Sequence, residues 1–122
     1  MKQQILIADD QHHIRLALSL LLEQEPGMVV VGEAADATGL LLILENGPVD
    51  VVLLDWDLPG LPVHHLLRLL RLERPSLHII AMSSRPEARR QALQAGAAAF
   101  LSKGAPPETV LRILAQLPRT AA

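Results

Sequence analysis

Five short apolar segments recur along the chain, and most of them place Val, Ile or Leu at consecutive positions. Continuous apolar runs of this length are typical of strands that are buried on both faces of a sheet. Longer segments with apolar residues at helical spacing separate these runs. The predicted strands are Ile5–Ala8, Met28–Val31, Val49–Leu54, His78–Met82 and Ala97–Leu101, and the predicted helices are Gln11–Gln24, Ala37–Glu45, Val63–Arg74, Glu87–Ala95 and Glu108–Leu117.

Residues that favour helix ends stand at the predicted boundaries. Pro107 falls where the fifth helix should begin, Asp36 is placed to cap the second, and Gly96 falls just past the end of the fourth. Alternating strands and helices give parallel strands joined by right-handed crossovers. We expect an α/β fold, a three-layer sandwich whose five-stranded parallel sheet has the flavodoxin-like order 2-1-3-4-5 and carries five helices.

The length and composition fit one domain that covers residues 1–122. Half of the 122 residues are apolar, which is enough for a hydrophobic core. No apolar run approaches the roughly 20 residues that cross a bilayer, and the first ten residues do not resemble a signal peptide. Cysteine is absent from the sequence, which excludes disulfides and thiolate chemistry. We expect a soluble, cytoplasmic domain that makes no membrane contact.

The charged residues do not indicate a nucleic-acid-binding surface. The formal net charge is −2, and the eleven Lys and Arg residues are scattered along the chain. Arg68, Arg71 and Arg74 recur every three residues on the predicted third helix, where we expect a solvated face. We therefore expect no nucleic acid contact by this chain itself.

Polar side chains stand where four of the predicted strands end. Asp9 and Asp10 follow strand 1, Asp55 follows strand 3, Ser83 follows strand 4, and Lys103 comes just after strand 5. Taken alone, an Asp-Asp pair is more often a solvated turn, and a single lysine a surface residue. Because the carboxyl ends of parallel strands meet at one edge of the sheet, these residues are predicted to share one crevice.

Three carboxylates in one crevice indicate a bound cation. Two carboxylates about 4 Å apart repel by roughly 4 kcal/mol at an effective dielectric constant near 20. Oxygen ligands without cysteine favour a hard ion, and a small site suits Mg²⁺ better than Ca²⁺, while Mn²⁺ could substitute. We therefore predict a magnesium site.

A carboxylate beside Mg²⁺, with a lysine and a hydroxyl in reach, can attack phosphorus and form an aspartyl phosphate. Asp55 is the best candidate nucleophile, because it stands at a strand end and its neighbour Trp56 is expected on an exposed loop. Asp57 and Arg85 follow Asp55 and Ser83 by two residues. We expect both at the rim of the crevice, where they are hypothesised to tune the lifetime of the phosphoryl group.

Four motifs in the same order and spacing resemble the receiver domains of two-component response regulators: IADD, LLDWDLP, a serine at the end of strand 4, and FLSK. The resemblance covers essentially the whole chain. It implies a signalling domain, not an enzyme, that is phosphorylated by a sensor histidine kinase or a phosphotransfer protein. The stretch LLLEQEPGMVVVGEAADA further resembles receivers that precede a LuxR-type helix-turn-helix domain. We therefore expect either a stand-alone receiver or the front piece of a longer transcription regulator, whose effector domain would lie outside this chain.

The resemblance also implies a role for each acidic residue of the crevice. Asp55 would be the phosphoacceptor and a metal ligand, and Asp10 would bind Mg²⁺ directly. Asp9 would act mainly through water, and the main-chain carbonyl of Asp57 would supply a further ligand.

The remaining implied roles concern the phosphoryl group and the switch. Lys103 would pair with the phosphoryl group or with Asp55, and Ser83 would donate a hydrogen bond to a phosphoryl oxygen. Phe100 would turn inward behind Ser83 and carry the change to the face formed by helix 4, strand 5 and helix 5.

Two positions depart from the family pattern. Pro62-Val63 stands where the family usually has Asp or Asn followed by Gly, and Gly104 follows Lys103 where many members have proline. Neither departure changes an acid, the serine or the lysine. The second helix, ATGLLLILENG, is apolar nearly all round, so a homodimer or an effector contact through it is a further hypothesis.

Two alternative functions compete with a phosphorylated receiver. A degenerate receiver would act as a protein-interaction module without phosphorylation, which the altered loop at Pro62-Val63 would suit. A phosphatase of the haloacid-dehalogenase type would share the sequence Asp-x-Asp at Asp55 and Asp57. That class places this motif on its first strand, whereas here the Asp9-Asp10 pair comes first, so the chain order argues against it.

Overall fold

The computed structural model describes residues 2–118 of the chain. Its strands are β1 (Gln3–Ala8), β2 (Met28–Ala34), β3 (Val51–Asp55), β4 (His78–Ser83) and β5 (Ala99–Ser102), and its helices are α1 (His12–Glu23), α2 (Ala37–Glu45), α3 (Val63–Glu73), α4 (Ala88–Ala95) and α5 (Pro107–Gln116). All ten predicted elements are present, and their boundaries differ from the predicted ones by at most three residues.

The five strands form one parallel sheet in the order β2-β1-β3-β4-β5, which confirms the predicted flavodoxin-like topology. Ile5 pairs with Val51 and Ala8 with Leu54, so β1 and β3 end side by side. Residues of α2, α3 and α4 pack in a hydrophobic cluster on one face, and residues of α1 and α5 pack in a second cluster on the other. The crevice between β1 and β3 is the point where the strand order reverses.

The central and edge strands differ in burial. All five residues of β3 are buried, as the continuous apolar pattern predicts. The prediction of burial on both faces is wrong for β2, whose residues are mostly half-buried or exposed, because this edge strand has one neighbour instead of two. The β1–β2 register shifts after the Ile5–Val30 pair, so that Leu6 pairs with Gly32 and Val31 is left as a bulge.

The helix ends follow the predicted chemistry at two positions. Asp36 Oδ1 accepts a hydrogen bond of 2.8 Å from the Gly39 N–H, which caps α2. Gly96 ends α4 with φ at +110°, a left-handed conformation that glycine adopts without strain. Arg68 and Arg71 are exposed as expected, but Arg74 is half-buried and donates to the Leu44 carbonyl at the end of α2.

The loop between β3 and α3 packs against the start of α2. The Ala37 N–H donates to the Pro59 carbonyl at 2.9 Å, and a Cβ added to Gly60, whose φ is +114°, would lie 3.1 Å from Ala37. Pro62 stands at the N-cap of α3 and makes no side-chain cap hydrogen bond. The departure at Pro62-Val63 therefore leaves the loop anchored through Pro59 and Gly60.

None of the helices within residues 2–118 has the length and apolar character needed to cross a bilayer.

Candidate functional site

The crevice at the carboxyl edge of the sheet collects the residues that were predicted to meet there. Asp9 directly follows β1, Asp55 and Ser83 are the last residues of β3 and β4, and Lys103 directly follows β5. The Lys103 N–H donates to the Ser83 carbonyl at 3.0 Å, which ties the ends of β4 and β5 together. Four strands therefore deliver their terminal side chains to one place.

Three carboxylates form the centre of the crevice. Asp9, Asp10 and Asp55 each offer a carboxylate oxygen, and these oxygens lie within 4.8 Å of one another. Asp9 is fully buried and Asp55 is 2% exposed, whereas Asp10 is exposed. The cluster is thus reached from solvent on the Asp10 side.

Main-chain donors orient the two buried carboxylates. Asp9 Oδ1 accepts a hydrogen bond of 2.8 Å from the Gln11 N–H, and Asp55 Oδ1 accepts one of 2.9 Å from the Asp57 N–H. In each case the donor lies two residues further along the chain, in the turn that follows the strand. One oxygen of each carboxylate is fixed in this way, and the other remains for the crevice.

Lys103 bridges the two buried acids. Its Nζ lies 2.8 Å from Asp9 Oδ2 and 3.3 Å from Asp55 Oδ2, and it donates to Gln11 Oε1 at 2.9 Å. The Lys103 side chain is 11% exposed. A lysine held by three oxygens has few alternative positions, so its charge stays beside Asp55.

Burial shifts the pKa of both central charged groups. The pKa of Asp55 is raised from 3.8 to about 6, chiefly by burial and also by the Asp9 charge, against the opposing effects of the Asp57 N–H and of Lys103. Burial by itself would lower the pKa of Lys103, but its bonds to Asp9 and Asp55 outweigh this and raise it. The crevice therefore holds a protonated lysine beside a carboxylate whose charge is disfavoured.

Ser83 and the two rim residues lie next to this cluster. Ser83 is buried, and its Oγ accepts a hydrogen bond of 3.0 Å from the Arg85 N–H. The Arg85 Nη2 donates to Asp57 Oδ1 at 2.9 Å, with both side chains largely exposed. The two residues expected at the rim are thus paired with each other.

The two aromatic residues differ in how well they were predicted. Phe100 lies on β5, half-buried, and packs against the cluster beneath α2, α3 and α4. The expectation of an exposed Trp56 is wrong, because Trp56 is 3% exposed and packs in the same cluster. Its ring and that of His64 form a T-shaped contact with a centroid separation of 5.2 Å.

The donor set fits a hard divalent cation. The three carboxylates are oxygen ligands, which Mg²⁺ prefers. Asp9 Oδ2 is buried and, among residues 2–118, has no partner in hydrogen-bonding geometry, although it lies at ion-pair distance from Lys103. A buried oxygen of this kind is suited to a cation.

Two residues that contact the crevice were missed in the sequence. Gln11 accepts from Lys103, and Arg15 donates to the Asp9 carbonyl at 2.6 Å. Gln11 could have been found, because it directly follows the Asp9-Asp10 pair at the start of a helix. Arg15 has no distinguishing pattern, since an arginine in the first turns of a helix is usually solvated.

A doubly wound sheet with three acids and a lysine at its switch point defines the class of phosphoacceptor-type signalling domains. The chain matches the response regulator receiver domain over residues 5–115. It belongs to that family.

Curated relatives and solved structures agree with this family. The chain is 38% identical over 109 residues to the transcriptional activator protein ExaE of Pseudomonas putida, and 34% identical over 109 residues to the response regulator UvrY of Escherichia coli strain K12. These matches cover 88% of this chain but 51% and 50% of the two relatives. The chain spans about half the length of the curated relatives that it matches.

The similar solved structures include isolated receiver domains. The signal receiver domain of NarL from Mycobacterium tuberculosis has a TM-score of 0.84 and 28% identity, and the match covers 93% of this chain and 94% of that one. The isolated receiver domain of RcsB from Salmonella enterica serovar Typhimurium has a TM-score of 0.85 and 26% identity, with coverage of 94% and 87%. The chain is a receiver domain of the two-component response regulators of the LuxR/NarL type.

Proposed function

We propose that Asp55 takes up a phosphoryl group from a sensor histidine kinase or a phosphotransfer protein, and that this event switches the output of a response regulator. The surroundings of the Asp55 carboxylate carry the proposal. Its Oδ1 is engaged by the Asp57 N–H at 2.9 Å, so its Oδ2 remains as the nucleophile. That oxygen lies 3.3 Å from Lys103 Nζ and within the acidic cluster.

The transfer is a single displacement at phosphorus. Asp55 Oδ2 forms a bond to phosphorus while the bond from phosphorus to the donor's nitrogen or oxygen breaks, and the donor atom leaves with that electron pair. Lys103, whose pKa is raised, stays protonated and pairs with the phosphoryl oxygens. The burial of both groups strengthens this pairing, because less water screens it.

We propose Mg²⁺ as the cofactor, for which Mn²⁺ could substitute. Receiver domains bind Mg²⁺ at an acidic pocket, and the proposed ligands are Asp9, Asp10, Asp55 and the main-chain carbonyl of Asp57, with Asp9 acting mainly through water. When bound, the ion supplies positive charge to the oxygens of the transferring phosphoryl group. The buried Asp9 Oδ2, which faces the crevice and lies 2.8 Å from the Lys103 ammonium, supports this assignment.

Ser83 and Phe100 are proposed as the switch. Ser83 Oγ accepts from the Arg85 N–H, which leaves its hydroxyl proton to donate to a phosphoryl oxygen on Asp55. Phe100 on β5 is half-buried, so an inward turn would bury more of its ring. Phosphorylation of Asp55 would in this way shift the face formed by α4, β5 and α5 between two conformations.

The ion pair between Arg85 and Asp57 is proposed to tune the lifetime of the phosphoryl group. Their atoms are 2.9 Å apart, and the side chains are 45% and 60% exposed. An exposed pair of this kind contributes little to stability, so its effect should fall on access of donor and water to Asp55. Each residue is also linked to the crevice by its main-chain N–H.

The output is proposed to be transcription regulation. ExaE is a transcriptional activator protein and UvrY a response regulator, and the chain corresponds to about half of each. We infer a helix-turn-helix effector domain outside residues 1–122, and for this chain the role of a signalling domain instead of an enzyme. A homodimer or effector contact through α2 is supported by Leu42, which is 53% exposed between the half-buried Leu41 and Ile43.

The experiment is mass spectrometry after incubation with acetyl phosphate and Mg²⁺. The wild type should gain one phosphoryl group, and chelation of Mg²⁺ should prevent this. Asp55→Asn should stay unlabelled, whereas the matched control Asp57→Asn, which keeps its main-chain groups, should be labelled. The isolated RcsB receiver domain was studied with the phosphomimetic BeF3-, which offers a second probe for this chain.

Three outcomes would contradict the proposal. A label that persists in Asp55→Asn would move the phosphorylation site elsewhere. A wild type that takes no label would favour the degenerate receiver. Steady turnover of a generic phosphomonoester would favour the phosphatase.

A further inference from the structure

Arg15 lies near the start of α1, and its side chain is 16% exposed. Its Nη1 donates to the main-chain carbonyl of Asp9 at 2.6 Å. Its Nε lies 3.3 Å from Glu33 Oε1 on the edge strand β2, and its Nη2 lies 3.4 Å from His12 Nδ1. A planar guanidinium with contacts at three nitrogens has a fixed orientation, so Arg15 is a fixed donor to Asp9.

Every polar atom of Asp9 has a partner. Its N–H donates to the Ala34 carbonyl at 2.9 Å, its carbonyl accepts from Arg15, and its Oδ1 accepts from the Gln11 N–H at 2.8 Å. Its Oδ2 lies 2.8 Å from Lys103 Nζ, inside the crevice. The bonds at the other three atoms hold the residue so that Oδ2 is presented to the crevice.

We propose that Arg15 is a positioning residue for the divalent cation. By holding the Asp9 carbonyl, it fixes the peptide between Asp9 and Asp10, whose two carboxylates approach that of Asp55. This inference rests on the magnesium site proposed above and assigns to it a residue that lies outside the acidic cluster. Contacts that orient metal ligands typically change metal affinity by about 10–100-fold when they are removed.

Charge repulsion alone predicts that removal of Arg15 increases the affinity for the cation, which is the opposite of the positioning role. Arg15 is a positive charge whose guanidinium contacts the Asp9 main chain, so its removal should by itself tighten the binding of a cation at the acidic cluster. Loss of the fixed Asp9 carbonyl should instead weaken binding. A purely structural role would lower the stability of the metal-free protein and leave the affinity unchanged. The sign of the change in affinity therefore separates the three roles.

The test compares Arg15→Gln, Arg15→Lys and the wild type, with Arg68→Gln as a control at an exposed arginine of α3. The Mg²⁺ affinity is obtained from the rise in Tm with increasing MgCl₂, and the stability without metal from urea unfolding in EDTA. We expect Arg15→Gln to bind Mg²⁺ about tenfold more weakly, which lowers the magnesium-dependent stabilisation by about 1.4 kcal/mol at high Mg²⁺. The Mg²⁺ affinity of Arg15→Lys should lie between those of Arg15→Gln and the wild type, and that of Arg68→Gln should equal the wild-type affinity.

The outcomes distinguish this inference from the one on which it rests. A wild type whose Tm does not respond to Mg²⁺ would remove the magnesium site itself. A responsive wild type together with unchanged or tighter binding by Arg15→Gln would overturn only the role of Arg15. If Arg15→Gln lacks a cooperative unfolding transition, Arg15→Lys decides the question, and unchanged affinity in that variant would equally overturn it.

Discussion

Asp50 and Asp55 stand at the two ends of β3 and have opposite surroundings. Asp50, just before the strand, is half-buried, and its Oδ2 accepts a hydrogen bond of 2.7 Å from the Gln4 N–H of β1. Asp55, the last residue of the strand, is 2% exposed beside two other carboxylates, and burial raises its pKa to about 6. The first acid stabilises the sheet, and the second is held in a place that disfavours its charge. Such surroundings suit the phosphoryl transfer proposed for Asp55 better than a role in stability.

The two edges of the sheet repeat this difference. At the amino edge, two side chains contact the end of α5 and the segment that follows it: Gln3 Nε2 donates to the Leu114 carbonyl at 3.3 Å, and His78 Nε2 lies 2.9 Å from the Pro118 carbonyl. At the carboxyl edge, three carboxylates cluster, and two of them, Asp9 and Asp55, pair with Lys103. Substitutions at the two edges should therefore change stability in opposite directions.

The largest effect is expected from Asp55→Asn in the absence of metal. Removing the disfavoured charge should raise the free energy of unfolding at pH 8 by on the order of 2–3 kcal/mol, given a pKa raised from 3.8 to about 6. Urea unfolding in EDTA measures the change. Mg²⁺ should reduce this difference in free energy of unfolding between the variant and the wild type, because it stabilises the wild type more than the variant. A less stable variant in EDTA would mean that Asp55 stabilises the fold as Asp50 does.

The gain in the free energy of unfolding of Asp55→Asn over the wild type should depend on pH. Well below pH 3.8 the Asp55 carboxyl is protonated in the folded and unfolded states, so the wild type has no penalty and Asp55→Asn has no advantage. The penalty grows as the pH rises toward 6 and is complete above it. Urea unfolding at a series of pH values in EDTA should show this rise, and a gain that is the same at all pH values would exclude a raised pKa as its cause.

A smaller effect of opposite sign is expected from Asp50→Ala. The change removes the acceptor of the Gln4 N–H and should lower the free energy of unfolding by about 1–2 kcal/mol. The loss should be equal in EDTA and in Mg²⁺, since Asp50 lies at the opposite end of β3. Asp50→Asn keeps an acceptor oxygen and should lose less. A loss that depends on Mg²⁺ would link the two ends of the strand.

The smallest effect is expected from Gln3→Met at the amino edge. Gln3 is 3% exposed, its Oε1 has no hydrogen-bond partner within residues 2–118, and its bond to the Leu114 carbonyl is long at 3.3 Å. Loss of that bond should be offset by removal of the buried, unpaired oxygen, so urea unfolding should show a change below about 1 kcal/mol. A loss above about 2 kcal/mol would show that the Gln3 side chain anchors α5 strongly.

The sequence predicted the fold well because the central strands are continuous apolar runs, of which β3 is the clearest. The predictions from the sequence were wrong where the burial of a residue depends on which elements pack beside it. The predicted β2 ended at Val31, but the strand continues through Gly32 and Glu33 to Ala34, because an edge strand does not need an apolar residue at each position. Trp56 was expected to be exposed because it lies in a turn, and its contact with His64 depends on the path of α3.

The residues of the candidate site also divide into those that the topology predicts and those that depend on tertiary contacts. Asp9, Asp55, Ser83 and Lys103 were predictable, because parallel topology alone brings strand ends together. Arg15 was not, because its role depends on the distance from α1 to the Asp9 carbonyl and on Glu33. Nothing in the sequence around Arg15 distinguishes it from the exposed Arg68.

The bulge at Val31 bears on how copies of this domain can associate. β2 is one of the two edges of the sheet, and seven residues of unpaired main chain would be a template for strand addition and aggregation. The bulge interrupts the regular spacing of that edge, and Glu33 adds an exposed charge. The other edge, β5, is only four residues long. Association through the sheet edges is thus disfavoured, and reversible contacts are left to the helices.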